Sequence, residues 1–381
     1  MIMMPKESVD TDKHSAPPKD GLLGKTVGTG WTVVEMMTRP EGATGGNFST
    51  GYIVERNGNR AFLKAMDLTS ALLQPADRQL NALARVVEAI QFEGMLLQRC
   101  AEHGLTRVIR LIEQGVVETS ASAHDSLRNA TERVHVFIFE LGGNDVRRTF
   151  GAPKPEDARP RIAVLHDVAV AVQQLHKAGI AHQDIKPSNV LEVSGERHKI
   201  ADLGRASLVG VMGPSDSMFF PGDLTYCPPE FAYGHIPPDA VNRRFAADAY
   251  LIGSMISFMF TLQGTTTLLQ QALPEHLLPP RWQRDTSVAA WAGSYDDALP
   301  HLEQSMNQLR SYLEPYLPSF CRGELSEAFA QLCDPNPYRR GHPKARAAVG
   351  GSPGLDRYVS LFDRLSKKAA IAERLVTSQD T

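Results

Sequence analysis

The segment His182-Gln183-Asp184-Ile185-Lys186-Pro187-Ser188-Asn189 constrains this chain more than any other feature. It sets a carboxylate, an ammonium and a carboxamide at fixed offsets in one short loop. Two short apolar stretches follow, Val190-Leu191-Glu192-Val193 and Lys199-Ile200-Ala201, separated by a polar turn. That pattern predicts a hairpin, and the hairpin would return Asp202, of Asp202-Leu203-Gly204, to face Asn189. Two oxygen ligands at the two ends of one hairpin suit a magnesium ion, which prefers few protein ligands and completes its shell from phosphates and water. Asp184 is placed to orient an acceptor hydroxyl and Lys186 to reach a transferred phosphate, the parts that phosphoryl transfer requires.

The flanking sequence changes character along its length. Residues 1–20 are polar and proline-containing and read as a disordered tail. Strand-like runs follow at Trp31–Glu35, Tyr52–Glu55 and Ala61–Lys64, then a helical pattern over 76–101, then strands at Arg107–Glu118 and Val134–Leu141 around a polar loop (119–132). From Pro160 the period becomes helical: Ile162, Leu165, Val168, Ala169, Val172 and Leu175 form one stripe that ends at Gly179. The expected organisation is a strand-rich part over 21–141 and a helix-rich part over 142–350, with an insertion around 262–330. An amphipathic helix and tail over 351–381, with a stripe through Leu355, Tyr358, Leu361 and Leu365, is expected to lie on the body. Gly24-Lys25-Thr26 imitates the end of a phosphate-binding loop, but Lys19 stands where the first glycine is needed and strand-like sequence follows.

The loop and its sequel resemble the catalytic HRDLKPxN and DFG elements of the eukaryotic-like serine/threonine protein kinases, over roughly residues 30–345. The resemblance implies an α+β, bilobal protein-kinase-like fold with a small β-rich N-lobe and a larger helical C-lobe. It also implies ATP and Mg2+ as cofactors and a protein substrate. Lys64 resembles the strand lysine that contacts the α- and β-phosphates. The family pairs that lysine with a helix glutamate. Glu93 falls on the apolar face traced by Leu83, Val86, Ile90 and Leu97 whereas Glu88 falls off it, so Glu93 is the choice. Gly45, Gly46, Asn47 and Phe48 stand where the family carries its glycine-rich loop, with only Gly46 in register. Phe139 resembles the gatekeeper, Glu140 and Gly142 the hinge residues that offer backbone groups to adenine, and Asp145 a residue that reaches the ribose. Asn189 and Asp202 are the metal ligands by the same resemblance. Tyr226-Cys227-Pro228-Pro229-Glu230 is similar to the APE element, with Arg339 or Arg340 as the partner of Glu230, and Asp248 resembles the helix aspartate that braces the catalytic loop.

Two positions depart from the pattern. Gln183 replaces the arginine that, in the family, often pairs with a phosphorylated activation loop, and a neutral amide cannot make that ion pair. Activity without obligatory activation-loop phosphorylation is therefore expected, with Ser207, Ser215 and Ser217 dispensable together; Arg205 is an alternative phosphate partner. Asp223 stands where Ser/Thr-specific members carry threonine, so either Asp223 pairs with Lys186 or Thr225 fills the role.

A net charge of −3 offers no basic field for nucleic acid. The richest apolar run, Leu251–Leu262, is short and interrupted by Gly253, Ser254 and Ser257, which predicts a buried helix rather than a membrane span. Cys100, Cys227, Cys321 and Cys333 lack metal-ligand spacing and fit a reducing cytoplasm. Two other functions compete: a pseudokinase scaffold that binds ATP, and a small-molecule kinase, against which Lys186 and Pro228-Pro229-Glu230 argue. Substrate, activating signal and oligomeric state are not encoded in these patterns.

Overall fold

The computed structural model describes residues 21–37, 49–66, 68, 71, 74–118, 133–154, 157–193 and 197–377. They form two compact units: residues up to Val86 with Ile112–Phe139, and Val87–Leu111 with Glu140 onward.

The first unit is built on one sheet. Its strands are β1 (Thr26–Val27), β2 (Trp31–Met36), β3 (Ser49–Arg56), β4 (Asn59–Met66), β5 (Leu111–Glu118) and β6 (Arg133–Glu140), in the order β1-β2-β3-β4-β6-β5. The run β1 to β4 is antiparallel. In β2 the buried Trp31 and Val33 alternate with exposed Thr32 and Val34, the period of a strand with one face on a core. The opposite wall of that core comes from Leu63, Val136 and Ile138. The two residues between β3 and β4, Asn57 and Gly58, both take positive φ (51° and 76°), the turn that matches the twist of a tight hairpin. The segment after Gly24 is strand β1, not a helix, as the rejection of a phosphate loop there requires.

Helix α1 (Ala76–Glu102) begins in the first unit, and its part from Val87 belongs to the second. The second unit is mostly helical, with two small sheets. Strands β7 (Ile180–Ala181) and β10 (Ser207–Leu208) pair with each other, as do β8 (Val190–Val193) and β9 (Arg197–Ile200). In α2 (Ala158–Lys177) every residue of the expected stripe is buried, and Gly179 follows at φ 77°, a left-handed stop. Helix α3 (Ala246–Thr261) is buried from Ala246 through Phe260, so the apolar run belongs to the core. Among the described residues no single helix is long and apolar enough to cross a membrane. The stretch 262–330 folds into α4 (Thr265–Ala272), α5 (Tyr295–Leu313) and α6 (Arg322–Leu332), which bury Leu269, Leu302, Leu313 and Phe329 in the same core. Helix α7 (Leu355–Thr377) lies along α2. Its buried stripe is Leu355, Tyr358, Phe362, Leu365 and Ala369, with Leu361 half-buried against the same core. Two turns of 3.6 residues bring position 362, not 361, over Leu355.

A buried carboxylate ties α2 to the sheet that carries the site. Asp167 accepts from Arg107 Nε and from the His198 backbone N–H, each at 2.8 Å. Burial pushes its pKa up, but hydrogen bonds from His166 and His198 and the charge of Arg107 outweigh that and hold it well below the usual carboxylate range. All four cysteines are free and buried.

Candidate active site

The loop between β7 and β8 is held from below by α3. Asp248, fully buried, accepts from the backbone N–H groups of His182 (2.8 Å) and Gln183 (2.7 Å) and contacts His176 Nε2 (2.8 Å). These bonds fix Gln183 at φ 63°, a left-handed conformation that an L-residue keeps only when its surroundings enforce it. His182 Nδ1 accepts from the Asp184 N–H (3.2 Å), so Nε2 carries the proton and meets the Ala201 carbonyl (3.2 Å). The Ala201 N–H donates to Asn189 O (2.8 Å). Ala201 is thus fastened on both backbone groups, and the next residue, Asp202, is aimed by the loop itself.

Two side chains and one backbone amide converge on Asp184. Asn189 Nδ2 donates to its carbonyl (2.8 Å) and to Oδ2 (3.0 Å), Lys186 Nζ lies 3.2 Å from Oδ2, and the Asp223 N–H donates to Oδ1 (2.8 Å). Burial raises the Asp184 pKa; Lys186 and the bond from Asp223 lower it, and the charge of Asp202 raises it. The residues fit a magnesium ion. Since Asn189 uses its NH2 group on Asp184, its Oδ1 is the end left to bind a cation, and the mutual repulsion of Asp184 and Asp202 is what a cation would relieve. Among the described residues no cluster of three or more His, Cys, Asp or Glu forms a metal cage. Two oxygen ligands is the set expected where phosphates complete the shell. Asp202 also sits at φ 68° and accepts weakly from the Gly204 N–H (3.3 Å).

Helix α1 brings Glu93 to the same region of the second unit. Glu93 is buried and Glu88 exposed, as the apolar stripe required. A methyl group placed on Gly204 would stand 3.5 Å from Glu93 Oε2, so the Asp202-Leu203-Gly204 turn lies against this carboxylate. The residues after β6 run beside β8. Gly143 N–H donates to Glu192 O (2.7 Å) and Glu192 N–H to Asn144 O (3.0 Å). A Cβ on Gly142 would come within 2.9 Å of Leu191 Cδ1, so the backbone here packs closely on the Leu191 side chain. Glu140 uses its N–H on Arg110 O (3.0 Å), and its carboxylate takes the Arg110 N–H (2.7 Å) and Lys199 Nζ (2.5 Å). Asp145 caps the helical turn Val146–Thr149, accepting from Arg148 N–H (3.1 Å), with Arg147 and Arg148 each 3.6 Å away. In this structure its carboxylate is therefore a cap.

In the first unit, Lys64 stands on β4 opposite Gly51 of β3. Phe139 is buried and stacks on Phe62, two residues before Lys64 (centroids 6.3 Å apart), so the gatekeeper ring is also core. Gly45, Gly46, Asn47 and Phe48 lie outside the described residues, as do the 1–20 tail and the polar loop 119–132.

Residues 87–279, about half of the chain, match the protein kinase domain. This chain belongs to the protein kinase domain family. Its relatives are distant. It is 31% identical over 137 residues to the serine/threonine-protein kinase PknA of Mycobacterium tuberculosis, covering 35% of this chain and 30% of that protein. Over 200 residues it is 28% identical to the LysM domain receptor-like kinase 10 of Oryza sativa subsp. japonica, 51% of this chain and 28% of that protein. It is 25% identical over 148 residues to the human hormonally up-regulated neu tumor-associated kinase, 38% of this chain and 18% of that protein. The matched stretches span about a fifth to a third of these relatives' length. The fold is that of the family, an N-terminal antiparallel sheet followed by a mostly helical region. The match begins after Lys64, whose role rests on its place in β4.

The remaining kinase landmarks resolve the alternatives left by the sequence. Arg340, not Arg339, meets Glu230: Nη1–Oε1 is 2.6 Å, Nη2–Oε2 is 2.7 Å, and both side chains are fully buried. Arg339 instead engages Asp334 and Glu303 at the surface. Asp223, not Thr225, faces the catalytic loop, with Oδ2 3.3 Å from Lys186 Nζ, while Thr225 donates to the other oxygen of the same carboxylate from its N–H (3.0 Å) and Oγ1 (2.8 Å). Gln183 Nε2 donates to Arg205 O (3.2 Å) and Ser207 Oγ (3.0 Å). Ser207 and Ser215 are buried, so of the three serines only Ser217 is exposed. The sequence reading missed Asp216, whose buried carboxylate pairs with Arg244 and whose backbone carbonyl accepts from Arg243. The adjacent pair Arg243-Arg244 was its only trace, and nothing local connects residues 216 and 244.

Proposed function

We propose that this chain is an ATP- and magnesium-dependent protein kinase that transfers the γ-phosphate to a serine or threonine hydroxyl. The observation that carries the reading is the buried Asp184 carboxylate with Lys186, Asn189 and the Asp223 amide gathered on it within hydrogen-bond reach. Asp184 orients the acceptor hydroxyl and takes its proton. Lys186 offers positive charge to the transferring phosphoryl group. Asn189 and Asp202 would hold magnesium, which when bound neutralises charge on the β- and γ-phosphates. Lys64 and Glu93 are assigned to orienting the α- and β-phosphates, and Gly45, Gly46, Asn47 and Phe48 to covering them. Gly142 and the carbonyl of Glu140 are assigned to adenine beside Phe139, and Asp145 to the ribose, for which it must leave its cap.

Preference for serine and threonine is supported by the likeness to the mycobacterial serine/threonine-protein kinase. Independence from activation-loop phosphorylation is supported by Gln183, which already ties the catalytic loop to Ser207 with a neutral bond. The four buried free thiols support a cytoplasmic setting.

The test is incubation with labelled ATP, magnesium and a generic protein substrate, beside Asp184→Asn, Asp202→Ala and Lys64→Met. Each variant is expected to lose about a hundredfold or more in transfer. Transfer that persists in Asp202→Ala would refute the mechanism, and ATP binding without transfer in the native chain would make it a binding module.

A further inference from the structure

We propose that Asp216 is a positioning residue for phosphoryl transfer, an internal anion that fixes the segment after Asp202-Leu203-Gly204 through Arg243 and Arg244. The proposal rests on the protein kinase reading and names how that site is held ready.

The Asp216 side chain is 2% exposed. Oδ2 accepts from the Gly213 N–H at 2.7 Å and closes the turn Gly213–Asp216, which also carries the Asp216 N–H to Gly213 O bond (3.1 Å). Oδ1 makes no hydrogen bond of good angle; its compensation is the guanidinium of Arg244, with Nη2 2.8 Å away. Arg243, from the same turn (Val241–Phe245), donates from Nη2 to the carbonyls of Asp216 (2.9 Å) and Met218 (3.3 Å). Two adjacent arginines therefore grip one acidic turn by its charge and by its backbone. Arginine holds carboxylate and phosphate with the same fork chemistry, so a genetically encoded carboxylate does here what an added phosphate would do.

The grip reaches the catalytic residues by contact. A Cβ on Gly213 would fall 2.6 Å from Phe92 Cζ, so the Gly213 backbone rests directly on the Phe92 ring. Phe92 precedes Glu93 on α1, and the Glu93 carboxylate lies against the Asp202-Leu203-Gly204 turn. Removing the Asp216 charge would leave Arg244, only 14% exposed, without its partner. The turn would then release Gly213 from Phe92, and α1 would lose a support beside Glu93.

The test uses the full chain. Asp216→Asn keeps the shape and an acceptor for Gly213 but removes the charge; Asp216→Glu keeps the charge; Ser217→Ala removes the exposed hydroxyl beside it. Two readouts are taken: kcat and KM for ATP, and backbone hydrogen exchange of the nucleotide-free protein. Asp216→Asn is expected to lower kcat about tenfold with KM for ATP little changed, and to speed exchange over 207–225 and over α1 around Glu93 but not in α2 or α3. Asp216→Glu should recover part of both, and Ser217→Ala should match the native chain. Native kcat and native exchange in Asp216→Asn would overturn the proposal, as would faster exchange spread evenly through α2 and α3. Exchange needs no catalysis: a native chain that transfers no phosphate would sink the proposed function, and the exchange pattern would still decide whether Asp216 holds the segment.

Discussion

Lys186 Nζ stands 3.3 Å from Asp223 Oδ2, so the catalytic-loop lysine is tied to the segment that leads into the Pro228-Pro229-Glu230 element. The same lysine is 3.2 Å from Asp184 Oδ2, and it therefore bridges two carboxylates. Burial works to raise the Asp223 pKa, but the bonds from Thr225 and the charge of Lys186 prevail and lower it, which favours the carboxylate in this contact. Asp223→Ala removes both the charge and the cap of the turn Leu224–Tyr226. It is expected to lower kcat about tenfold, about 1.4 kcal/mol in the barrier. Asp223→Thr, which keeps a capping oxygen and the amide bond to Asp184, should retain most of the activity. Steady-state kinetics of the pair decides it, and an Asp223→Ala variant as active as the native chain would show the bridge to be idle.

Under the proposed mechanism the protonation of Asp184 is expected to set the acid limb of the rate. Burial raises its pKa and Lys186 pulls it back. The working form is the carboxylate, so activity falls as pH drops through this pKa. Lys186→Met removes the lowering influence, and the acid limb of kcat/KM is expected to move to higher pH in addition to the loss in kcat. A limb that stays in place or moves to lower pH would contradict the assignment of Asp184 as the titrating group.

Gln183 predicts how the proposed kinase activity responds to phosphatase. Its amide already satisfies Ser207 and the Arg205 carbonyl. Exhaustive dephosphorylation is expected to leave transfer unchanged, whereas Gln183→Ala should lower stability by about 1–2 kcal/mol by orphaning buried polar groups. Because Ser207 is buried in this contact, Ser207→Ala should cost stability while Ser217→Ala does not. Denaturant unfolding of the three variants, with activity before and after phosphatase, tests both halves.

Glu230 and Arg340 are a buried, doubly hydrogen-bonded pair. Burial acts to lower the Arg340 pKa, but the Glu230 charge outweighs it and raises the value. Breaking the pair leaves one buried charge uncompensated, which costs about 3–5 kcal/mol. Glu230→Gln and Arg340→Met should each lower the melting temperature by about 10 °C, while Arg339→Met, at the surface, should change it by a degree or two. Calorimetry that found the two arginine variants alike would reverse the assignment of the partner.

Much of this was legible because it is local. The offsets among Asp184, Lys186 and Asn189, the short hairpin that returns Asp202, and the stripe of α2 all follow from steric rules that act over a few residues. Helical period put Glu93 on the buried face and Glu88 off it, and the one is buried and the other exposed. The turn at Asn57-Gly58 has the same local origin, since its residue types suit two positive φ angles in succession. In the C-terminal stripe Leu361 packs half-buried against the core and its neighbour Phe362 is fully buried; both are apolar, and only the face of α2 ranks them.

What the linear pattern could not decide are the polar pairings across long separations. Arg340 was chosen over its neighbour Arg339, Asp223 over Thr225 and Ser207 as the partner of Gln183. Asp216 was placed with Arg244. In each case the residue types were visible and the choice was not, because a guanidinium or carboxylamide reaches whichever partner the packed core delivers to it, and the desolvation cost of leaving it unpaired then enforces that choice. The sequence by itself determined the catalytic loop and the family of its fold. Which charges hold that loop in place was decided only when α2, α3 and the segment after Gly204 closed around it.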